Sequence, residues 1–187
     1  MRPVIVAANW KMHTTPADAA DLAATMAART QVAGPVERVI CPPYVCLPAV
    51  AAALLGSGVA VGAQNIHHEL AGAYTGEISA PMLVGLASWV ILGHSERRRD
   101  AGETDALVGR KLRRAAETGL RPIVCVGERL EEREAGRAEG SSLPRSGRSW
   151  PSLRRIAPRS RTVDSLWLMS RSGQLAPAGR RAARTPR

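Results

Sequence analysis

The chain has 187 residues and carries 26 basic against 16 acidic side chains, a net charge of +10, which is length enough for one domain with a good-sized core. That charge sits in one place: residues 140–187 hold eleven Arg and a single acid, Asp164, while residues 1–139 are balanced at fifteen basic and fifteen acidic, so the body of the chain gives no electrostatic argument for a nucleic-acid partner. Three cysteines without metal-site spacing argue against a disulfide framework, and the absence of a signal-like start or of an apolar run near the roughly 20 residues of a membrane span leads to the expectation of a cytoplasmic soluble protein.

Val4–Asn9 reads as a short apolar strand that ends in Asn9-Trp10-Lys11. Thr15-Pro16 has the form of a helix start, with Thr15 as N-cap and Pro16 at the first helical position, where its missing N–H costs nothing. Leu22 and Met26 follow at helical spacing on an Ala-rich helix ending near Arg29. Val36–Cys41 is a second strand, followed by a Pro-Pro turn and a helix through Val50–Leu55. Gly58–Asn65 alternates small and β-branched residues as a third strand. The polar stretch from Ile66 to Glu77 is long for a connection, which marks it as a functional or interface loop. A short helix over Pro81–Leu86 leads to Trp89–Leu92, whose unbroken apolar run predicts a strand buried on both faces. Gly93 stops that run, and His94, Ser95, Glu96, Arg97 and Arg98 follow at once. Glu103–Thr118 is a helix with Leu107 and Leu112 on its buried side and Gly119 as its cap. Pro122–Val126 is a fifth strand, and Leu130–Glu139 begins another charged helix. Five strand-helix repeats imply parallel strands joined by right-handed crossovers.

After Glu139 the composition changes abruptly: residues 140–187 contain nine Ser, five Pro, eleven Arg and no Lys. Without apolar periodicity such a segment cannot offset a chain entropy of roughly 1–2 kcal/mol per residue, and disorder is the expectation. His67-His68 is an adjacent pair with no ligand spacing around it and is read as loop rather than metal site. Cys125, at the end of the fifth strand, is read as a packed thiol.

Two polar clusters remain, Asn9-Trp10-Lys11 and His94-Ser95-Glu96, each delivered at the carboxyl end of a buried strand, where α/β folds place their chemistry. Together with Cys41-Pro42-Pro43, Gly62-Ala63-Gln64-Asn65, the run Gly72–Ser79, Gly93–Arg98 and Cys125-Val126-Gly127-Glu128, they stand in the order and spacing of one family. Over its first 139 residues the chain resembles the triosephosphate isomerases. The resemblance implies an incomplete (β/α)8 TIM barrel, the first five strand-helix units over 1–139, followed by the disordered basic tail 140–187. It also implies a glycolytic and gluconeogenic enzyme that interconverts dihydroxyacetone phosphate and glyceraldehyde 3-phosphate by moving a proton between adjacent carbons. This is the family in which a glutamate base is paired with a neutral histidine electrophile. By resemblance His94 is that electrophile, and Lys11 is a catalytic and substrate-binding cation. Asn9 is implied to bind substrate or hold Lys11, Glu96 to be a supporting ion-pair partner, and Thr75 to lie in the homodimer interface. No cofactor or metal is implied; the partners are a triose phosphate and a second copy of the chain, with no membrane.

The chain departs from the family where its sixth strand should end. The family's catalytic Glu stands in a Tyr-Glu-Pro-Val-Trp-Ala context, and glycine-rich phosphate loops follow it; neither is present as protein. Reading Leu166–Gly179 from the third base of each codon, with permitted codon choices, gives Val-Ala-Tyr-Glu-Pro-Val-Trp-Ala-Ile-Gly-Thr-Gly, the glutamate codon straddling Met169 and Ser170. The expectation is therefore a one- or two-base change near Glu139–Gly140 that puts the tail out of frame, leaving an inactive chain with open edges at its first and fifth strands. The competing expectation is a non-catalytic half-barrel whose Arg-rich tail holds nucleic acid or an acidic partner with strong salt dependence. The tail's lack of any binding motif disfavours it.

Overall fold

The computed structural model describes residues 4–31, 34 and 36–126, together with the strand backbones at 167–169 and 175–177. The elements run β1 (Val4–Asn9), α1 (Pro16–Arg29), β2 (Val36–Cys41), α2 (Leu47–Ala53), β3 (Val59–Ala63), β4 (Trp89–Leu92), α3 (Ser95–Asp100), α4 (Asp105–Glu117), β5 (Arg121–Cys125), β6 (Trp167–Met169) and β7 (Leu175–Pro177). Single 3-10 turns stand at Tyr44–Cys46 and Pro81–Leu83, so the helix expected over Pro81–Leu86 is only that short turn. The helix expected from Leu130 lies outside the described residues.

The strands hydrogen-bond in sequence order, β1 through β6 all parallel and β7 antiparallel to β6. This is the strand-helix alternation of a partial TIM barrel, with the five expected parallel strands in place. Within the tail, for which disorder was the expectation, Trp167–Met169 and Leu175–Pro177 are strands, and the rest of 140–187 lies outside the described residues. The edge expected to be bare at the fifth strand is consequently occupied: Ile123, Val124 and Cys125 face Trp167, Leu168 and Met169 in parallel register. The outer edge of β1 has no partner among the described residues, and Val4 and Val6 on that strand are both more than half exposed.

Alternation along the strands divides the core in two. One set, Ile5, Val39, Cys41, Trp89, Ile91, Ile123 and Cys125, packs together on the concave face. The other, including Ile40, Val61, Val90, Leu92 and Val124, packs against the helices. All four residues of β4 are buried, as an uninterrupted apolar run requires of a strand covered on both sides. At Gly62 an added Cβ would lie 2.6 Å from Cys41 Sγ and 3.2 Å from Val39 Cγ1, so the concave face admits only glycine there. Across the amino-terminal mouth Arg121 makes a bidentate ion pair with Glu37, three strands away, and its guanidinium carbon lies 3.9 Å from the centre of the Trp89 ring.

Thr15 is the N-cap of α1 with Pro16 in its first turn, as expected, though its hydroxyl donates to the Asp18 carboxylate at 2.6 Å and accepts from no backbone N–H. The buried face of α1 is Ala19, Ala23 and Ala27, with Leu22 left 40% exposed; the small side chains bring the helix backbone close to its neighbours, and the larger Leu22 is turned to the outside. On α4 the buried stripe is Val108, Lys111, Leu112 and Ala115, while Leu107 is only half-buried.

Candidate functional site

The carboxyl ends of β1, β2, β3 and β4 converge, and side chains from three of the connecting segments meet there. The chain leaves β1 through Trp10, whose N–H donates to Cys41 O at 3.0 Å, and then turns at Lys11 with φ of 55°. A left-handed backbone is costly for a residue with a Cβ, so Lys11 needs outside support. Its N–H donates to Asn9 Oδ1 at 3.0 Å, and its carbonyl accepts from Gln64 Nε2 at 2.9 Å. The Lys11 ammonium then reaches Glu96 Oε1 at 2.6 Å.

Gly93 ends β4 with φ of 68°, and a Cβ there would press on Arg98 and Val108. The guanidinium of Arg98 donates to Gly93 O at 2.8 Å and Cys125 O at 3.4 Å and to Asp105 at 2.7 Å, tying the ends of β4 and β5 to the start of α4. His94 stands at the N-cap of α3, where its Nδ1 accepts the backbone N–H of Glu96 at 3.3 Å. The same Nδ1 lies 3.4 Å from Glu96 Oε2, so the imidazole is held against both the backbone and the carboxylate of Glu96. Glu96 therefore touches both partners, its backbone on the imidazole and its carboxylate on the ammonium. The hydrogen bond from Lys11 holds that carboxyl below the usual carboxylate range, against a smaller opposing push from burial. Lys11, His94, Asn9 and Glu96 are thus brought into one cluster.

Thr75 is not part of it. It is exposed on the turn closed by the Glu77 N–H on Tyr74 O at 3.0 Å, and it shares no hydrogen bond with the cluster among the described residues. The loop is folded on itself: His67 N–H donates to Ile78 O at 2.7 Å, and the His67 ring lies 4.2 Å from that of His68 and 4.3 Å from that of Tyr74. No group of three or more metal-ligating side chains occurs among the described residues.

Behind the cluster lies a polar network that the sequence reading passed over. Lys111 Nζ, buried on α4, donates to Glu103 Oε1 at 2.5 Å and to Asn65 Oδ1 at 2.8 Å. Arg97 Nε donates to the same Glu103 oxygen at 2.5 Å, and Tyr44 OH donates to Asn65 O at 2.5 Å. Burial pushes the Glu103 carboxyl up, but the two cationic donors together outweigh it and hold the group below the usual range. Burial pulls Lys111 down, against the pull of Glu103. The network fastens α3, which carries Glu96, to the segment leaving β3. The signal was present: a lysine at position 111 falls on the apolar stripe 108, 112, 115, where a charge must be paired to be buried. Gln64, immediately after β3, was noted only as part of a motif, since sequence gives no sign of which carbonyls it serves.

Beneath the site, burial and then the proximity of Cys125 push the Cys41 thiol up to about 12, and burial pushes Cys125 up to about 11. Both are packed thiols, and almost none of either is thiolate at neutral pH. Treated with iodoacetamide at pH 8, the native chain should keep Cys41 and Cys125 unmodified and lose both only after unfolding; peptide mass spectrometry reads this directly, and prompt labelling of either would contradict the packing described.

Comparisons with known proteins agree with this architecture. A sequence profile described as triosephosphate isomerase matches residues 4–144. The chain is 52% identical over 140 residues to a protein named triosephosphate isomerase from Symbiobacterium thermophilum, covering 74% of this chain and 55% of that protein. A protein of the same name from Chloroflexus aurantiacus is 49% identical over 140 residues, with 74% and 56% covered, and one from Synechococcus sp. is 45% identical over 159 residues, with 82% and 62% covered. The chain thus spans little more than half the length of the curated relatives it matches. On this match, and on a strand order and strand-end cluster that agree with it, the chain belongs to the triosephosphate isomerase family.

Proposed function

We propose that this chain carries the electrophilic half of an enzyme that interconverts dihydroxyacetone phosphate and glyceraldehyde 3-phosphate through an enediolate. The observation that supports it best is the placement of His94: its Nδ1 is turned onto Glu96, which leaves Nε2 as the ring atom to meet a substrate carbonyl oxygen, and the Lys11 ammonium is tied to the same Glu96. In the proposed reaction a neutral imidazole donates from that atom and stabilises negative charge as it develops on the oxygen. Lys11 adds a fixed positive charge that favours both the enediolate oxygen and a phosphate dianion. Asn9 acts through its hydrogen bond to the Lys11 N–H, and Glu96 keeps the imidazole and ammonium in register. None of these groups is placed to remove the carbon-bound proton. That role belongs to the glutamate of the Tyr-Glu-Pro-Val-Trp-Ala string encoded out of frame across Met169 and Ser170.

In the intact family frame the working form is a homodimer with Thr75 and its loop at the contact, acting in the cytoplasm on a small phosphorylated substrate without cofactor. No helix among the described residues is long and apolar enough to cross a membrane.

The gene supplies the experiment. Restoring the frame near Glu139–Gly140 by one or two bases should yield a chain with isomerase activity, and His94→Gln in that restored chain should lower kcat/KM by about 10²–10⁴-fold with little change in KM, as loss of a positioned proton donor does. If the shifted frame does not encode the glutamate string, or the restored chain is folded and inert, the reading is wrong.

A further inference from the structure

We propose that Gln64 is a positioning residue for Lys11, and that its side-chain amide sets the aim of the Lys11 ammonium by clamping the Lys11 main chain. The amide Nε2 donates to two carbonyls at once, Lys11 O at 2.9 Å and Cys41 O at 2.9 Å. Cys41 is the last residue of β2 and fully buried; Gln64 follows directly on β3. The clamp therefore refers the loop after β1 to two fixed strand ends rather than to another loop.

Three facts make Lys11 dependent on such a reference. Its backbone is left-handed, and Thr14, three residues on, is left-handed too, with φ of 76°. Its side chain is half exposed and is hydrogen-bonded only at the tip, to Glu96. Its own N–H is held by Asn9 and the preceding Trp10 N–H by Cys41 O, but neither bond reaches the Lys11 carbonyl. With the N–H held by Asn9 and the C=O by Gln64, both polar groups of the Lys11 backbone are fixed, and the ammonium is delivered to one place. The catalytic use of that place rests on the isomerase reading above; the clamp itself does not.

The test reads Lys11 in this chain without turnover. Gln64→Met keeps the length of the side chain and removes both donors. Two readouts follow. In carbon-detected NMR the Glu96 carboxyl, held low chiefly by the Lys11 hydrogen bond, should titrate at higher pH in Gln64→Met, part of the way to its position in Lys11→Met. Trypsin should cut after Lys11 about tenfold faster, while cutting after Arg29, at the end of α1, keeps its wild-type rate. An unchanged Glu96 titration overturns the proposal, as does equal acceleration at Lys11 and Arg29, which would mean general loosening. Gln64→Glu provides the second variant. Ionised, it has no donor; protonated, it regains one O–H, so hydrogen-exchange protection of the Lys11 amide should rise as pH falls through its titration, a recovery Gln64→Met cannot show. Protection that stays flat in Gln64→Glu overturns the clamp, and an inert frame-restored enzyme would leave it standing.

Discussion

Purified as it stands, the chain is expected to interconvert triose phosphates at least about 10²–10⁴-fold more slowly than the Symbiobacterium relative, the contribution a positioned general base makes. Glu96 is the carboxylate beside His94. Its oxygen accepts from the Lys11 ammonium at 2.6 Å, and that bond holds its proton affinity down. A carboxylate stabilised in its ionised form is a poor acceptor for a carbon-bound proton, because the base strength needed in the transition state has been spent on the ion pair. Glu96 is therefore no substitute for the glutamate base that the proposed reaction calls for, and releasing it by Lys11→Met would remove the cation at the same moment. A coupled assay of triose phosphate interconversion measures the rate; activity within tenfold of the relative would show that the chain holds a base of its own.

The second large effect is on stability. Lys111→Met should cost about 3–5 kcal/mol, the range for removing one partner of a buried ion pair. The side chains of Lys111 and Glu103 are 3% and 1% exposed, so among the described residues the carboxylate left behind keeps Arg97 alone as a donor, and its Oε2 has no hydrogen-bond partner there. Urea titration should show a lower midpoint at unchanged slope. Adding Glu103→Leu should recover part of the loss, since Arg97 is 38% exposed and can turn to water while the buried site becomes apolar. The pH dependence has a definite sign. Glu103 is held below its unfolded value, so its contribution is full above the ordinary carboxylate range and is lost as pH falls through the depressed one. The native chain should lose stability on that acid limb more steeply than Lys111→Met/Glu103→Leu. A midpoint shift worth less than about 1 kcal/mol for Lys111→Met would put the pair among the weak ones.

How much of this was legible beforehand differs from element to element for physical reasons. β4 could be read directly because four apolar residues in a row leave no face for water, and all four are buried. The end of β1 and its polar exit were equally plain. On α1 the spacing of Leu22 and Met26 marked the helix but not its buried face, which is Ala19, Ala23 and Ala27, because packing there depends on the close approach that alanines permit. The cluster itself was readable only as two separate strand ends, because spacing along the chain says nothing of a contact between Lys11 and Glu96, 85 positions apart. Gln64 and Lys111 were overlooked for the same reason. Each acts through a partner far away in sequence, 53 residues for Gln64 and Lys11 and 46 for Lys111 and Asn65, and a side-chain amide or ammonium carries no mark of its destination.

The pairing of Arg121 with Glu37, with Trp89 beneath the guanidinium, spans from β5 back to β2 across the two strands between. Such a brace fixes a chord, and a chord shorter than the flat width of four strands obliges the sheet to bow. The bend is thus written inside this portion of the polypeptide, and a ring of strands built onto it would inherit a radius already chosen.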